Sequence, residues 1–387
     1  MPLVAASQLL SAIPQEALAL SSGQQTDLRT LLTQVGALEQ GYDAQAAALA
    51  PKPKHAPLRE DPATRSRIAA TAAADLNRIN DPSTRTGDWI QNRGLYYRTN
   101  SFPPAIQEML SRVATQRGRS VEEVSGDMVG DGYANSRYFE HCGAQGQNVR
   151  FRYIKKPGVS AYDAVHAFVG GFTVADCATS AMAIQLKAVA VEMGKAAFDK
   201  MFNDWTGPFI QPRLQGTPMA YFATAHSPVE KGAAPPEGDV AHVESGGKTW
   251  AVRPGDKAYV MNHIDYIKVD PGGLWTGEHV LCVGVEERDG KKVPLWSGFG
   301  LSAATAEKML EEIAVEYARA ALRNPTYLRD KFNMRNTGAN EAVIRKKLME
   351  SFNSPSSKAG LKIDDKMLYS WQLDTGRVRH YASAPSR

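Results

Sequence analysis

The stretch Gly170-Gly171-Phe172-Thr173-Val174-Ala175-Asp176-Cys177-Ala178-Thr179-Ser180-Ala181-Met182 decides how this chain folds. An apolar extended run ends at Ala175, and small, helix-compatible residues follow Cys177. Apolar side chains then fall at Ala181, Ile184, Ala188 and Val191, the spacing of one helical face. Asp176 has the side chain of an N-cap, so a helix is expected to open on Cys177 and run to about Met193. A cysteine in that first turn meets free backbone N–H groups at the positive end of the helix dipole. There a thiol can fall well below its usual pKa of about 8.5 and become a nucleophile. The same N–H groups can hold an oxyanion. A second reading fits the local sequence equally well: Cys177 as a small buried hydrophobe that opens a core helix.

Downstream, Lys195 to Phe202 extends or follows that helix. Residues 203–247 carry many Gly and Pro, with Trp205, Phe209, Tyr221, Phe222 and His226 among them, the composition of a lid, a binding surface or an insertion. Trp250 to Asp256 leads into a strand over 257–262, and a loop spans His263 to Thr276. Glu278 to Glu286 reads as a strand, with Val280, Leu281, Cys282, Val283 and Val285 apolar. Asp289-Gly290 is a hairpin turn signal, and Val293 to Phe299 pairs back. Thr305 caps a helix to about Leu322. Residues 323–387 hold a short helix at 340–352, a polar Ser/Pro stretch at 353–358 and a weakly structured end.

Upstream, Val149 to Ile154 alternates as a strand, Lys156-Pro157-Gly158 turns, and Ser160 to Phe168 has helical spacing. Residues 85–135 are irregular around one helix, from Pro104 to Gln116, with Gly118 just past its end. Another short helix is expected at 120–128. Residues 62–80 are helical. Three prolines within residues 51–57 block helix and central strand and make an extended linker. Before it, Leu9, Leu10 and Ile13, then Leu28, Leu31, Leu32, Val35 and Leu38, mark two amphipathic helices. They suit core, an oligomerisation surface or a delivery segment.

Composition narrows the function. The 387 residues are 43% hydrophobic and 22% charged, as in soluble globular proteins. The net charge of +4 is dispersed, unlike the concentrated basic stripe of a nucleic-acid binder. Cys142, Cys177 and Cys282 are too few and scattered for a disulfide framework or a zinc site, so no metal or other cofactor is expected. No apolar run approaches the roughly 20 residues that cross a membrane. Met1 to Ser22 lacks a basic n-region and a compact apolar core, so no secretory signal is expected. Free thiols fit a cytoplasmic origin, with export by a signal-independent route left open.

The chain order, a cysteine at a helix start followed by an antiparallel run whose middle strand opens with Gly277-Glu278-His279, is the arrangement of papain-like cysteine enzymes. Two residues compete as the base. Glu278 and His279 point to opposite faces of their strand. Imidazole is the commoner partner for a thiol, and a carboxylate serves if burial raises its pKa.

Lys156-Pro157-Gly158-Val159, Asp176-Cys177-Ala178-Thr179, Lys187-Ala188-Val189, Pro254-Gly255-Asp256 with Tyr259 and Asn262, Trp275-x-Gly277-Glu278, and Gly298-x-Gly300 before Thr305-Ala306-Glu307 occur in one order. In that order and spacing, residues 136–315 resemble the small bacterial spore-coat-type transglutaminases (protein-glutamine gamma-glutamyltransferases), whose core is related to the NlpC/P60 fold. The resemblance implies an α+β protein: a papain-like (NlpC/P60-like) core, its antiparallel sheet packed on the nucleophile helix, with a helical N-terminal extension. It divides the chain into a helical region (1–50), a Pro-rich linker (51–64), a mostly helical extension (65–135), a transglutaminase-like catalytic domain (136–322) and a C-terminal extension (323–387).

Carried over from the family, Cys177 is the nucleophile and Glu278 its general base. Asp176 takes the place of an acidic neighbour that assists; the family has Glu there. Ser297 stands where the family has a histidine. The implied chemistry is isopeptide cross-linking of protein glutamine and lysine through a thioester, so the implied partners are protein substrates. Water in place of lysine would give deamidation. The rivals are a peptidase or cell-wall amidase on the same site and a non-catalytic interaction protein. Trp275 can wall a dry channel or serve as core. Cys282 reads as buried packing, Cys142 is ambiguous, and His141, His166 and His263 lack ligand spacing. Gly170-Gly171 reads as a turn or a close-packing site.

Overall fold

Asp289 and Gly290 both adopt positive φ, 50° and 71°, the backbone that a two-residue hairpin turn needs to match strand twist. The sheet grows from that hairpin. In this computed structural model the described residues are 60–80, 90–91, 104–124, 132–142, 150–171, 173–229, 238–270, 275–336, 338, 340–363 and 370–383. The helices expected within 1–50 and the linker to residue 59 lie outside them.

The helices are α1 (Pro62–Asn80), α2 (Pro104–Arg117), α3 (Ala161–Gly170), α4 (Cys177–Met193), α5 (Lys195–Phe202), α6 (Tyr266–Val269), α7 (Ala306–Leu322), α8 (Pro325–Phe332), α9 (Glu341–Phe352) and α10 (Thr375–Ala382). The strands are β1 (Ile90–Gln91), β2 (Phe139–His141), β3 (Phe151–Tyr153), β4 (Thr173–Val174), β5 (Pro208–Ile210), β6 (Ala223–Thr224), β7 (Ala241–Ser245), β8 (Lys248–Val252), β9 (Lys257–Met261), β10 (Gly277–Arg288), β11 (Lys291–Gly298), β12 (Leu301–Ala304), β13 (Gly360–Lys362) and β14 (Gln372–Leu373). The main sheet has the order β12-β11-β10-β9-β13, antiparallel throughout.

Alternation along β10 serves two cores, because both faces of the sheet are covered. Leu281 packs in one cluster with Ile68 and Leu76 of α1 and Ile184 and Leu186 of α4. Val280 and Cys282 pack in the other with Met309, Ile313 and Tyr317 of α7 and Ile344 of α9. Helix α4 is buried on nearly every side, as a helix at the centre of a large core should be. Val191, expected on its apolar face, is exposed. Gly194, at φ 78°, separates α4 from α5.

Several expectations are corrected. Pro62 occupies the first position of α1 and the Asp61 carboxylate accepts the Ala63 and Thr64 N–H groups, so residues 62–64 are helix. Of the region 203–247, expected as a lid, a binding surface or an insertion, residues 203–229 bury Phe209, Met219 and Phe222 completely in the first cluster, and β5 and β6 pair with β3 and β14. Their aromatic side chains make them core. The weakly structured end is instead tied in at three points: β13 extends the main sheet, Trp371 exchanges backbone hydrogen bonds with Lys257, and the Asp374 N–H donates to the Phe222 carbonyl. Few residues anchor this tail, but Trp371, Leu373 and Val378 are buried. Among the described residues, no helix is long and apolar enough to cross a membrane.

Candidate active site

Asp176 caps α4 with both oxygens. One accepts the Thr179 N–H at 2.8 Å and the other the Thr179 hydroxyl at 3.0 Å. Cys177 is therefore the first residue of the helix. Facing it is Glu278, one residue into β10 and wholly buried. Glu278 Oε1 accepts the Phe299 N–H at 3.0 Å, while Oε2 has no hydrogen-bond donor. The Cys177 thiol lies against this carboxyl and receives the His279 backbone N–H. Half-buried Cys177 and wholly buried Glu278, a hundred residues apart in sequence, thus stand beside each other.

Two glycines make that contact possible. A Cβ on Gly298 would sit 2.9 Å from Glu278 Cγ and 3.0 Å from its Oε1. A Cβ on Gly277 would sit 2.3 Å from the Tyr259 hydroxyl and 2.5 Å from the Val260 carbonyl. The motif glycines are the space into which Glu278 and Tyr259 fit. Gly298→Ala is accordingly expected to displace the Glu278 carboxyl and lower Cys177-dependent turnover by at least about tenfold, since small misplacements of reacting groups are costly. Steady-state kinetics on a variant with wild-type circular dichroism checks this; unchanged kcat/KM would contradict it.

Electrostatics differ from the sequence expectation. Burial, reinforced by Glu278 and Asp176, pushes the Cys177 thiol well above its usual range. The helix N-terminus was expected to lower it, but desolvation and two neighbouring carboxyls outweigh a partial charge. Burial likewise pushes Glu278 up to about 8, with Asp176 adding to it and the Phe299 N–H, the Cys177 thiol and Lys257 opposing it. The resting pair is a neutral thiol beside a carboxyl that ionises near neutral pH. A carboxylate of such basicity suits general-base work far better than an ordinary one.

Three residues at this site escaped sequence reasoning. Lys257, directly after the Pro254-Gly255-Asp256 turn, is fully buried; its Nζ lies 2.7 Å from His279 Nδ1 and 4.2 Å from the centre of the Trp371 ring. Trp371 donates to Gln185 Oε1 at 2.7 Å, which joins the tail to α4. Arg65 of α1 is buried against Asp256 Oδ1 at 3.0 Å and the Pro254 carbonyl at 2.8 Å, and also bonds Glu60 and the Leu373 carbonyl. A lysine opening an apolar strand was the available signal for Lys257. Nothing local marks Arg65 or Trp371.

The remaining candidates make the following contacts. The His279 ring stands over Tyr259 at 4.6 Å. Ser297 accepts the Ala303 N–H at 2.8 Å. Trp275 packs in the cluster of α7, not in the cluster that includes Cys177. Cys282 is buried and Cys142 half-buried. His263 stacks on Tyr317 at 4.5 Å, His166 stacks on Tyr162 at 4.2 Å, and His141 is exposed on β2. The Gly171 N–H closes α3 onto the Ala167 carbonyl, which a Cβ on Gly171 would approach to 2.6 Å.

No protein-family model matches the chain, and no curated protein matches it. Among solved structures the chain is similar to a transglutaminase from Geobacillus stearothermophilus without its C-terminal extension, at 14% identity and a TM-score of 0.37, over 83% of this chain and 95% of that one.

Proposed function

We propose that the protein is a cysteine acyltransferase of the transglutaminase kind, on a papain-like, NlpC/P60-like core. The observation that carries this is the juxtaposition of the half-buried Cys177 thiol, at the first turn of α4, and the buried Glu278 carboxyl. The ordered motifs of residues 136–315 support it. In this reading Glu278 as carboxylate takes the thiol proton while sulfur attacks the carboxamide carbon of a protein glutamine. The first-turn N–H groups of Cys177 and Ala178, which Asp176 does not engage, hold the oxyanion. Glu278 then returns the proton to the departing ammonia, leaving a thioester. A lysine amine attacks, gives its proton to Glu278, and the thiol leaves protonated as the isopeptide forms. Asp176 serves as the cap that sets the helix start, because both its oxygens are engaged there.

The raised Cys177 thiol favours this concerted route over a standing thiolate. His279 is the weaker base in this reading, since its Nδ1 faces the Lys257 amine. Hydrolysis of the thioester is the competing outcome, and one observation favours it: Trp275, readable either as a wall against water or as core, packs in the other core cluster.

Incubation with a glutamine-donor protein and a fluorescent amine tests the proposal. Amine is expected to become covalently attached with release of ammonia, and Cys177→Ala is expected to reduce both to background. Ammonia without attached amine would make the protein a deamidase. An absence of Cys177-dependent turnover on any amide would leave a non-catalytic protein and sink the proposal.

A further inference from the structure

Lys257 is a feature of the site that the motifs do not account for. A lysine is almost never fully buried unless something offsets the loss of hydration. Here the offset is visible on every side. From α4, Cys177 and Asp176 face the site; from β10, Glu278 and His279; from Lys257's own strand, Tyr259 lies two residues on; and the indole of Trp371 lies beneath the amine. The Arg65–Asp256 pair immediately before it is internally matched. Two of its contacts, an imidazole nitrogen at 2.7 Å and a ring face at 4.2 Å, both suit an ammonium.

We propose that Lys257 is a positioning residue of this site: as an ammonium it holds His279 in the tautomer with its ring proton on Nε2 and supplies the fixed positive charge beside the Cys177–Glu278 pair. An ammonium has donors only, so the imidazole nitrogen it meets must accept. His279 Nδ1 then has its lone pair committed and Nε2 carries the hydrogen, which withdraws His279 as a base and leaves proton transfer to Glu278. The same charge favours the anionic forms of both partners, the direction in which Lys257 acts on Cys177 and on Glu278. This inference rests on the proposed role of Cys177 and Glu278, but its tests need no acyl transfer.

The first test is the rate of Cys177 alkylation by iodoacetamide against pH, read peptide by peptide so that Cys142 and Cys282 are separated. Lys257→Met is expected to move the Cys177 profile to higher pH and slow alkylation at pH 7 by about tenfold, the effect of one pKa unit. Lys257→Arg, which keeps the charge, is expected to recover most of that rate. Lost packing alone would admit water and move the profile to lower pH, the opposite direction, and would not be mended by a bulkier cation. An unchanged profile in a folded Lys257→Met protein overturns the proposal. Should neither variant fold, nitrogen-15 NMR of the histidine-labelled wild-type protein decides: a His279 ring protonated on Nε2 at neutral pH supports the assignment, and a proton on Nδ1 overturns it. If wild-type protein turns over no amide, the acyltransferase reading falls while these readouts still judge Lys257.

Discussion

Glu278→Gln is expected to lower kcat/KM for amine incorporation by about 10²–10⁴-fold, the usual loss for a general base, and at the same time to raise the melting temperature at alkaline pH. Both effects come from one buried carboxyl. Its folded-state pKa is about 8 against an ordinary value of 4.5. The folded protein therefore keeps a proton that the unfolded chain sheds, and stability falls as pH rises from 4.5 to 8. Below 4.5 the group contributes nothing; above 8 its full penalty applies. At about 1.36 kcal/mol per pKa unit the penalty reaches a few kcal/mol. Glutamine removes it. The gain in melting temperature over wild type should thus be near zero at pH 4.5, grow with pH and level off above 8. Wild-type kcat/KM should rise through pH 8 as the base ionises. His279→Ala should leave activity within about tenfold. If the histidine change abolishes turnover and the glutamine change does not, Glu278 is not the base.

Arg65→Met is expected to destabilise the protein by about 3–5 kcal/mol, the cost of stripping one partner from a buried ion pair. Arg65 and Asp256 are both buried. Without the guanidinium, Asp256 keeps only the Arg253 and Leu373 N–H groups, and the Pro254 and Leu373 carbonyls lose a donor. At roughly 1–2 °C per kcal/mol for a chain of this size, the melting temperature should fall by about 5 °C. Adding Asp256→Asn should recover part of the loss by removing the orphaned charge. A single variant that melts within a degree or two of wild type would show that this ion pair is not a fastening of the fold.

The local chemistry of the site was legible in the sequence; its enclosure was not. Asp176 before Cys177 announced a capped helix, Asp289-Gly290 a hairpin, and Thr305 the helix that follows β12, because capping and turn preferences act over a few residues. Two of Arg65's partners, Asp256 and Leu373, lie 191 and 308 residues away, and Trp371 meets Gln185 across 186. No periodicity encodes such contacts. The ionisation of Cys177 was misjudged for the same reason: the helix end is written in the sequence, whereas the burial and the Glu278 carboxyl that outweigh it exist only once the chain has folded. Residues 203–229 looked like a loop because Gly and Pro break regular patterns, yet their aromatic side chains fill the core.

Trp371 gives the protein an order of events during its synthesis. While residue 371 is still inside the ribosomal exit tunnel, the emerging chain already carries the thiol and the carboxyl but lacks the indole that underlies Lys257 and the β13 strand that borders β9. The enclosure of Lys257 is therefore completed by a segment translated well after the thiol and the carboxyl, and its buried contacts form only once that segment docks on β9.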